Sequence, residues 1–213
     1  RALIAAEAVH IAPIIALNKS DLVEPFARAW ERLWPYRHMG GDGKTKHPYQ
    51  VLQMSLTESG EVDHHALLPI LKGKTTLVLG PSGVGKSTMV NLLVPGAAVL
   101  TSEISQALNS GKHTTTSSTL YWVDDERTTA MIDSPGFQEF GLHHIDAMHL
   151  AAFMPDIKPH VEKCKFYNCS HLHEPGCGVI ASVKSAPSPH EICARRYKLY
   201  SDFFAELSQP QRY

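Results

Sequence analysis

Short apolar runs alternate with longer helical segments over the first half of the chain. Apolar runs that end in polar residues are typical of buried parallel strands, and they predict strands over 13–17, 49–55 and 75–79. Segments without breakers predict helices over 1–10, 26–34, 63–72 and 86–93, with Pro35 closing the second of them. This alternation predicts an α/β domain with a parallel sheet.

The pattern changes after the fourth predicted helix. Residues 95–119 are polar and rich in Ser and Thr, which predicts a mobile loop, and residues 119–123 and 128–132 predict a β-hairpin. Beyond residue 136 a segment rich in His and Cys leads to a final helix from about 189 to 207. We therefore expect one domain over residues 1–142 and a small, mostly helical domain over 143–213.

A phosphate-binding loop is indicated by residues 80–87, which match G-x-x-x-x-G-K-[ST] between a predicted strand and a predicted helix. The glycines let backbone N–H groups wrap around a phosphate, and the helix directs its positive end at the same anion. Lys86 would reach the β- and γ-phosphates, and Ser87 would ligate Mg²⁺. The predicted nucleotide contacts here are Gly80, Ser82, Gly83, Val84, Gly85, Lys86, Ser87 and Thr88.

The segment N-K-S-D at residues 18–21 indicates which base is bound. The Asp21 carboxylate can accept hydrogen bonds from N1–H and the exocyclic amine of guanine, a donor pair that adenine lacks. Asn18 would brace the loop, and the Lys19 stem would lie over the ring face. Ser55 would supply a backbone contact to guanine O6, although a plain strand-to-turn junction explains its position almost as well. With the phosphate loop, this motif predicts GTP.

A D-x-x-G segment at residues 133–136 ends a later strand. Asp133 fits a partner of hydrated Mg²⁺, and the Gly136 N–H would sense the γ-phosphate. In the polar loop, one threonine would close over Mg²⁺ when the γ-phosphate is present. Thr114 and Thr115 fit equally well from the sequence, and Thr115 is the candidate magnesium ligand.

The residue after D-x-x-G is a glutamine in many GTPases, where it positions the attacking water. Phe137 occupies that position here and cannot hydrogen-bond to water. We therefore expect slow hydrolysis until another group enters, with His113 as the candidate within the chain. A switch activated by a partner is favoured over a fast autonomous enzyme.

A compact set of thiols and an imidazole follows, with the spacing C-x4-C-x-H-x5-C. Cys164, Cys169, His171 and Cys177 supply four ligands, so the site would be a closed, structural Zn²⁺ site. His173 is a minor alternative to His171. Cys193 lies apart and is expected to pack in the final helix.

Composition limits the possible partners. The formal net charge of −1 gives no global attraction to nucleic acid or to an anionic membrane, and no apolar run is long enough to span a bilayer. We expect a cytoplasmic monomer without membrane contact. A local basic patch is an RNA-binding candidate, although a solvated helix face explains it equally well. The patch contains Lys158, Lys163, Lys165, Lys184, Arg195, Arg196 and Lys198, interleaved with Phe166 and Tyr167.

The motif order places both base-reading segments before the phosphate loop, which is a circular permutation of the usual GTPase order. Together with G-K-H-T-T-T at residues 111–116 and the Cys3His spacing, it resembles the ribosome small subunit-dependent GTPase A family. The resemblance implies a permuted P-loop GTPase fold with GTP or GDP, Mg²⁺ and one Zn²⁺. It also implies late maturation of the small ribosomal subunit, with that subunit and 16S rRNA as partners.

The resemblance leaves three points open. The family has an OB-fold domain and a neighbouring strand upstream, so we expect the native protein to extend before Arg1. A permuted GTPase that acts on the large subunit or another RNA is one alternative function. The other is a zinc-stabilised RNA-binding module in which GTP only sets the conformation.

Overall fold

The computed structural model describes residues 1–39, 49–56, 61–94, 96–97, 118–134, 141–184 and 190–209, with the backbone alone for 61–65. The helices are α1 Ala2–Ala8, α2 Val23–Arg32, α3 Trp34–His38, α4 Glu61–Leu71, α5 Lys86–Leu93, α6 Lys158–Val161, α7 Gly178–Ala181 and α8 Ala194–Leu207, with a 3-10 helix at Ala147–Phe153. The strands are β1 Ile14–Leu17, β2 Gln50–Gln53, β3 Thr75–Val78, β4 Thr119–Trp122, β5 Ala130–Asp133, β6 Val183–Lys184 and β7 Ile192–Cys193. Within these ranges, every helix is too short or too polar to span a bilayer.

Two predicted helix boundaries are wrong. Pro35 does not close a helix over 26–34, because α2 ends at Arg32 and Pro35 lies in the first turn of α3. A first-turn proline is tolerated since its missing N–H would have no partner there. The final helix begins at Ala194, because Ile192 and Cys193 form β7 and the Ile192 N–H bonds the Ser182 carbonyl at 3.0 Å. Cys193 therefore ends a strand rather than lying in a helix.

The chain forms two compact units that do not follow sequence order. The first unit contains residues 1–16, 24–52 and 141–213, and the second contains residues 17–23 and 53–140. The predicted boundary between a first domain over residues 1–142 and a second over 143–213 stays a prediction.

A three-stranded sheet with the order β3-β5-β4 organises the second unit. β5 lies in the middle, parallel to β3 and antiparallel to β4, so the predicted hairpin is confirmed. In the register between β3 and β5, Val78 pairs with Asp133. Helix α5 packs against β5. Met131 of β5 and Val90 of α5 are both fully buried. The strand that leads into the phosphate loop therefore ends beside the strand that carries Asp133.

The described strands do not form one continuous parallel sheet, because β1 and β2 pair separately from β3-β5-β4. The prediction of parallel pairing holds for β3 and β5.

The core of the first unit lies between the 3-10 helix, α1 and α8. Asp146 caps the 3-10 helix by accepting the Met148 N–H at 2.8 Å. Leu150 and Met154 are fully buried, and Tyr200 of α8 is 1% exposed. Burying these large side chains removes their apolar surface from water and so stabilises this unit.

A buried ion pair lies within the same unit. Arg196 donates from Nε and Nη2 to the two oxygens of Asp156 at 2.7 and 2.9 Å, and from Nη1 to the Tyr36 hydroxyl at 3.2 Å. Burial alone lowers the pKa of Arg196, but the hydrogen bonds and charge of Asp156 outweigh it and raise the pKa. Arg196 fits neither the candidate RNA-binding patch nor a solvated helix face, because its guanidinium is paired with Asp156 and the residue is 8% exposed.

Candidate nucleotide site and metal centre

The phosphate loop connects the end of β3 to the start of α5 in the second unit. Gly83 and Gly85 have φ values of +77° and +104°, which side chains other than glycine rarely adopt. A Cβ on Gly85 would lie 2.6 Å from Nδ2 of Asn18. Gly85 is therefore required both for the turn and for close contact with the base-reading segment.

Lys86 begins α5 and turns its ammonium back over the loop. Its Nζ donates to the carbonyls of Gly80 at 2.8 Å and Pro81 at 3.0 Å. These contacts hold a positive charge at the N-terminal end of α5, where the helix dipole also favours an anion. The predicted loop contacts Ser82, Ser87 and Thr88 lie on the same loop and in the first turn of α5. The arrangement can bind a phosphate chain.

Asp133 is a buried carboxylate at the end of β5, with 2% of its surface exposed. Its Oδ1 atom has no hydrogen-bond partner among the described residues. Burial raises its pKa, while the charge of Lys86 and the Ser134 backbone N–H oppose the rise. A buried oxygen without a partner is costly unless a cation or donor reaches it. The Asp133 carboxylate is therefore an oxygen ligand of the kind that Mg²⁺ prefers, and the Ser87 hydroxyl in the first turn of α5 is the second predicted oxygen ligand.

Asn18 joins the base-reading segment to two other loops. Its Nδ2 donates to the Val84 carbonyl of the phosphate loop at 2.9 Å, and its Oδ1 accepts the Leu56 N–H at 3.0 Å. Backbone bonds from Met54 to Leu17 and from Ser20 to Met54, both 2.9 Å, fix the same segment. One amide side chain thus sets the spacing between the base-reading loops and the phosphate loop.

Asp21 is exposed and oriented by one neighbour. The Ser55 hydroxyl donates to Asp21 Oδ1 at 2.9 Å. Lys19 is exposed and has a φ of +70°. The sequence predicted only a backbone role for Ser55, and its side-chain contact was missed because the two residues are 34 positions apart. No local pattern signals such a pair.

Several predicted site residues lie outside the described residues. They are His113, Thr114, Thr115, Gly136 and Phe137. Their roles stay predictions.

The four predicted zinc ligands come together in the first unit. Their ligand atoms on Cys164, Cys169, His171 and Cys177 all lie within 4.8 Å of one another. His171 Nδ1 lies 3.4 Å from the Cys164 sulfur and 3.5 Å from the Cys177 sulfur. His173 is exposed and is not in the cluster. Three sulfurs and one imidazole nitrogen fit the ligand set and compactness of a structural zinc site.

The electrostatics of the cluster suit a divalent cation. Burial raises the pKa of Cys169 to about 12, so this thiol stays protonated until a cation compensates its charge. Burial lowers the pKa of His171, which favours the neutral imidazole that ligates metal. The N–H groups of Gly178 and Ile180 point at the sulfurs of Cys164 and Cys177 at 3.3 and 3.4 Å. Metal binding would therefore displace a proton from Cys169.

A second layer of contacts holds the ligand-bearing loop. Glu174 accepts N–H bonds from Ser170 at 2.7 Å, Leu172 at 3.2 Å and His173 at 3.3 Å. Burial opposes its ionisation, but the hydrogen bonds from the Ser170 hydroxyl and from the backbone N–H groups of Ser170, Glu174 and His173 lower the pKa of Glu174 below its usual range. From α8, Tyr197 and Tyr200 donate to the carbonyls of His171 and Ser170, both at 2.8 Å. The sequence analysis missed all three residues.

Replacing Glu174 by glutamine is expected to lower zinc affinity about 10- to 100-fold, as loss of an outer-layer contact commonly does. The amide loses the charge that gathers three backbone donors around His171. Competition for zinc with a chromophoric chelator measures the change. Glu162→Gln, on the exposed surface nearby, is the matched control. If Glu174→Gln holds zinc as tightly as Glu162→Gln does, Glu174 does not organise the site.

Comparison with known proteins places this chain in a family. The family model described as RsgA GTPase matches residues 1–143. A protein of Variovorax paradoxus (strain S110), named small ribosomal subunit biogenesis GTPase RsgA, is 66% identical over 209 residues, which are 98% of this chain and 63% of the relative. The protein of the same name from Paraburkholderia xenovorans (strain LB400) is 46% identical over 212 residues, again 98% and 63%. The chain thus spans about 63% of the length of these curated relatives.

Solved structures share the fold. The crystal structure of YloQ, described as a circularly permuted GTPase, matches with a TM-score of 0.68 at 27% identity, over 99% of this chain and 62% of that one. The crystal structure of YjeQ from Thermotoga maritima matches with a TM-score of 0.68 at 26% identity, over 98% of this chain and 64% of that one. These likenesses confirm the permuted α/β fold. The family model also matches residues 1–143, which are more than half of the chain, so the chain belongs to the RsgA GTPase family.

Proposed function

We propose that this chain binds GTP with Mg²⁺, hydrolyses it to GDP and phosphate, and acts in the cytoplasm during maturation of the small ribosomal subunit. The observation that carries the proposal is the double contact of Asn18 with Val84 and Leu56, at 2.9 and 3.0 Å. It couples a guanine-reading segment to a phosphate loop that follows it in sequence. Such coupling serves a ligand with a guanine at one end and phosphates at the other.

Asp21 supplies the choice of base. The Asp21 carboxylate is exposed, and the Ser55 hydroxyl orients it by donating a hydrogen bond at 2.9 Å. It can accept hydrogen bonds from both donors on the guanine edge. Adenine would leave that carboxylate without donors, which costs binding free energy. Lys19 is exposed beside it and would cover the ring face. The chain would therefore discriminate strongly against ATP.

Lys86 and the loop N–H groups would bind the phosphates. The ammonium would exchange its bonds to the carbonyls of Gly80 and Pro81 for phosphate oxygens, which carry full negative charge. Asp133 and Ser87 would hold Mg²⁺, which when bound neutralises charge on the phosphate oxygens. Thr115 and Gly136 complete this proposal as the switch residues that sense the γ-phosphate.

Hydrolysis by the chain alone would be slow. Phe137 has no group that can position water, so the attacking water would depend on His113 or on a group supplied by a partner. The curated relatives are named for small ribosomal subunit biogenesis. We accordingly propose the small subunit, through 16S rRNA, as the activating partner, with Zn²⁺ as a structural ion in the Cys3His cluster.

Phosphate release from GTP and from ATP tests the proposal, measured with and without isolated small or large ribosomal subunits. We expect hydrolysis of GTP only, with a rise on addition of small subunits. The full-length relative from Variovorax paradoxus is the positive control. Equal turnover of ATP would contradict the role of Asp21. A rise with large subunits alone would favour the alternative of a permuted GTPase that acts on that subunit.

Replacing Lys86 by alanine is expected to lower the GTP hydrolysis rate about 10²- to 10³-fold, because one preorganised charge on the transferred phosphoryl group is lost. Single-turnover phosphate release measures the effect. Lys72→Ala removes an exposed lysine at the end of α4 and serves as the control. A Lys86→Ala chain that binds small subunits and supports their maturation would instead favour the RNA-binding module, with hydrolysis incidental.

A further inference from the structure

A buried serine links the strand that carries Asp133 to the strand that leads into the phosphate loop. Ser134 directly follows Asp133, and its hydroxyl donates to the Val78 carbonyl at 3.1 Å. Val78 is the last residue of β3 and lies two positions before Gly80, the first glycine of the phosphate loop. Val78 and Ser134 are each 7% exposed, and Asp133 is 2% exposed. The contact is therefore shielded from water.

The Ser134 hydroxyl takes the place that a backbone donor would fill in a regular parallel ladder. At the start of the β3–β5 ladder, the Ala130 N–H bonds the Lys74 carbonyl at 2.9 Å. Following both strands by the same number of residues brings the Val78 carbonyl opposite the Ser134 N–H, since alternate carbonyls of β3 face β5. Because the hydroxyl donates to this carbonyl, the Ser134 N–H does not have to serve it.

The Ser134 N–H acts on Asp133 instead. Burial raises the pKa of the Asp133 carboxyl, and the charge of Lys86 and the Ser134 N–H oppose that rise because both favour the carboxylate. The Oδ1 atom of Asp133 has no hydrogen-bond partner among the described residues. Ser134 therefore contacts both the carboxylate that is proposed to hold Mg²⁺ and the strand that ends in the phosphate loop.

We propose that Ser134 is a positioning residue for the GTPase reaction: its hydroxyl serves the Val78 carbonyl, so that its N–H remains with Asp133 and keeps that carboxylate fixed to hold Mg²⁺. A buried carbonyl without a donor is costly, so loss of the hydroxyl would draw the N–H back to Val78. Asp133 would then lose a donor that favours its charged form. The inference rests on the proposed GTPase function and deepens it.

Replacing Ser134 by alanine in the zinc-loaded chain tests the inference, with Mn²⁺ affinity in the presence of a non-hydrolysable GTP analogue as the first readout. Electron paramagnetic resonance measures free Mn²⁺, which substitutes for Mg²⁺, and so reports metal binding without turnover. We expect Ser134→Ala to weaken Mn²⁺ binding about tenfold, as loss of a contact behind a metal ligand commonly does. The half-saturating Mg²⁺ concentration for GTP hydrolysis should rise by a similar factor.

Two further variants separate positioning from a loss of stability. Ser134→Thr keeps the hydroxyl and should restore Mn²⁺ affinity to that of the unaltered chain. Thr129→Val removes another buried hydroxyl, at the end of β5 away from the phosphate loop, where Thr129 is 3% exposed and accepts the Gly73 N–H at 3.0 Å. Like Ser134→Ala, it should lower the urea midpoint of unfolding, but it should leave Mn²⁺ affinity and Mg²⁺ dependence unchanged.

The outcomes separate this inference from the proposed function. Unchanged Mn²⁺ affinity in Ser134→Ala overturns the inference while GTP hydrolysis by the unaltered chain stands. An equal loss of affinity in Thr129→Val or in Ser134→Thr also overturns it, because packing or stability rather than the Ser134 hydroxyl would then set metal affinity. If the unaltered chain binds no GTP, the proposed function fails and the inference fails with it.

Discussion

Replacing Asp21 by asparagine is expected to lower the affinity for GTP by about 10³- to 10⁴-fold and to create affinity for xanthosine triphosphate. The asparagine amide keeps one acceptor but places a donor against the donors on the guanine edge. Xanthine has a carbonyl where guanine has its exocyclic amine, so it meets that donor favourably. The replacement also removes the negative charge of the carboxylate, and that charge strengthens the hydrogen bonds that Asp21 accepts.

Equilibrium titration with fluorescent GTP and xanthosine triphosphate analogues measures this change. Asp125→Asn, in the exposed β4–β5 turn, controls for the loss of a carboxylate elsewhere in the same unit. Ser55→Ala should weaken GTP binding only a few-fold, because it removes the hydrogen bond that orients Asp21 and leaves the carboxylate. If Asp21→Asn binds GTP as the unaltered chain does, the base is not read at this position.

Replacing Arg196 by alanine is expected to lower the free energy of unfolding by about 3–5 kcal/mol, because it leaves the buried Asp156 carboxylate without its partner. Asp156 is 8% exposed and accepts two hydrogen bonds from Arg196. The truncation also removes the stacking of the guanidinium on the Tyr36 ring, whose centre is 4.9 Å away.

Urea unfolding of the zinc-loaded chain, followed by circular dichroism, measures the loss of stability. Arg195→Ala is the matched control, because its side chain is exposed on the same turn of α8 and its loss should cost less than about 0.5 kcal/mol. The double replacement of Arg196 by methionine and Asp156 by leucine should recover most of the stability, since no buried charge remains. If Arg196→Ala is as stable as Arg195→Ala, the pair does not hold this unit together.

Features that depend on neighbouring residues could be predicted from the sequence. The helix over 86–93 has the predicted bounds, because a phosphate loop and a helix start are encoded within a few adjacent residues. The two strand-like runs around residues 124–126 also predict the hairpin of β4 and β5, and its turn is closed locally by Asp124, which accepts hydrogen bonds from the Thr128 N–H and hydroxyl. The four candidate zinc ligands fall within 14 residues, so their spacing alone indicated a cluster.

Features that depend on distant residues could not be predicted. Arg196 was assigned to a basic surface because its sequence neighbours are charged, but Asp156 and Tyr36 approach it from 40 and 160 positions away. The pattern predicts a helix end at Pro35, but a proline serves equally well in a first turn and residue types alone do not distinguish the two positions. Tyr197 and Tyr200 hold the ligand-bearing loop through the carbonyls of His171 and Ser170, and these contacts depend on how α8 packs against that loop.

By itself, the sequence determined the type and order of the chemical groups: an N-K-S-D segment predicted to read guanine, a phosphate-loop motif after it, and a thiol-rich set of candidate metal ligands. These are short motifs whose chemistry depends on adjacent residues. The tertiary structure alone decided that Asn18 joins three loops and that Ser55 orients Asp21. It also decided that Tyr167 is exposed and that Asp133 is buried, with one oxygen that has no hydrogen-bond partner in the described part of the chain. Burial and long-range hydrogen bonds depend on which distant segments pack together, and a local pattern of residue types does not encode that packing.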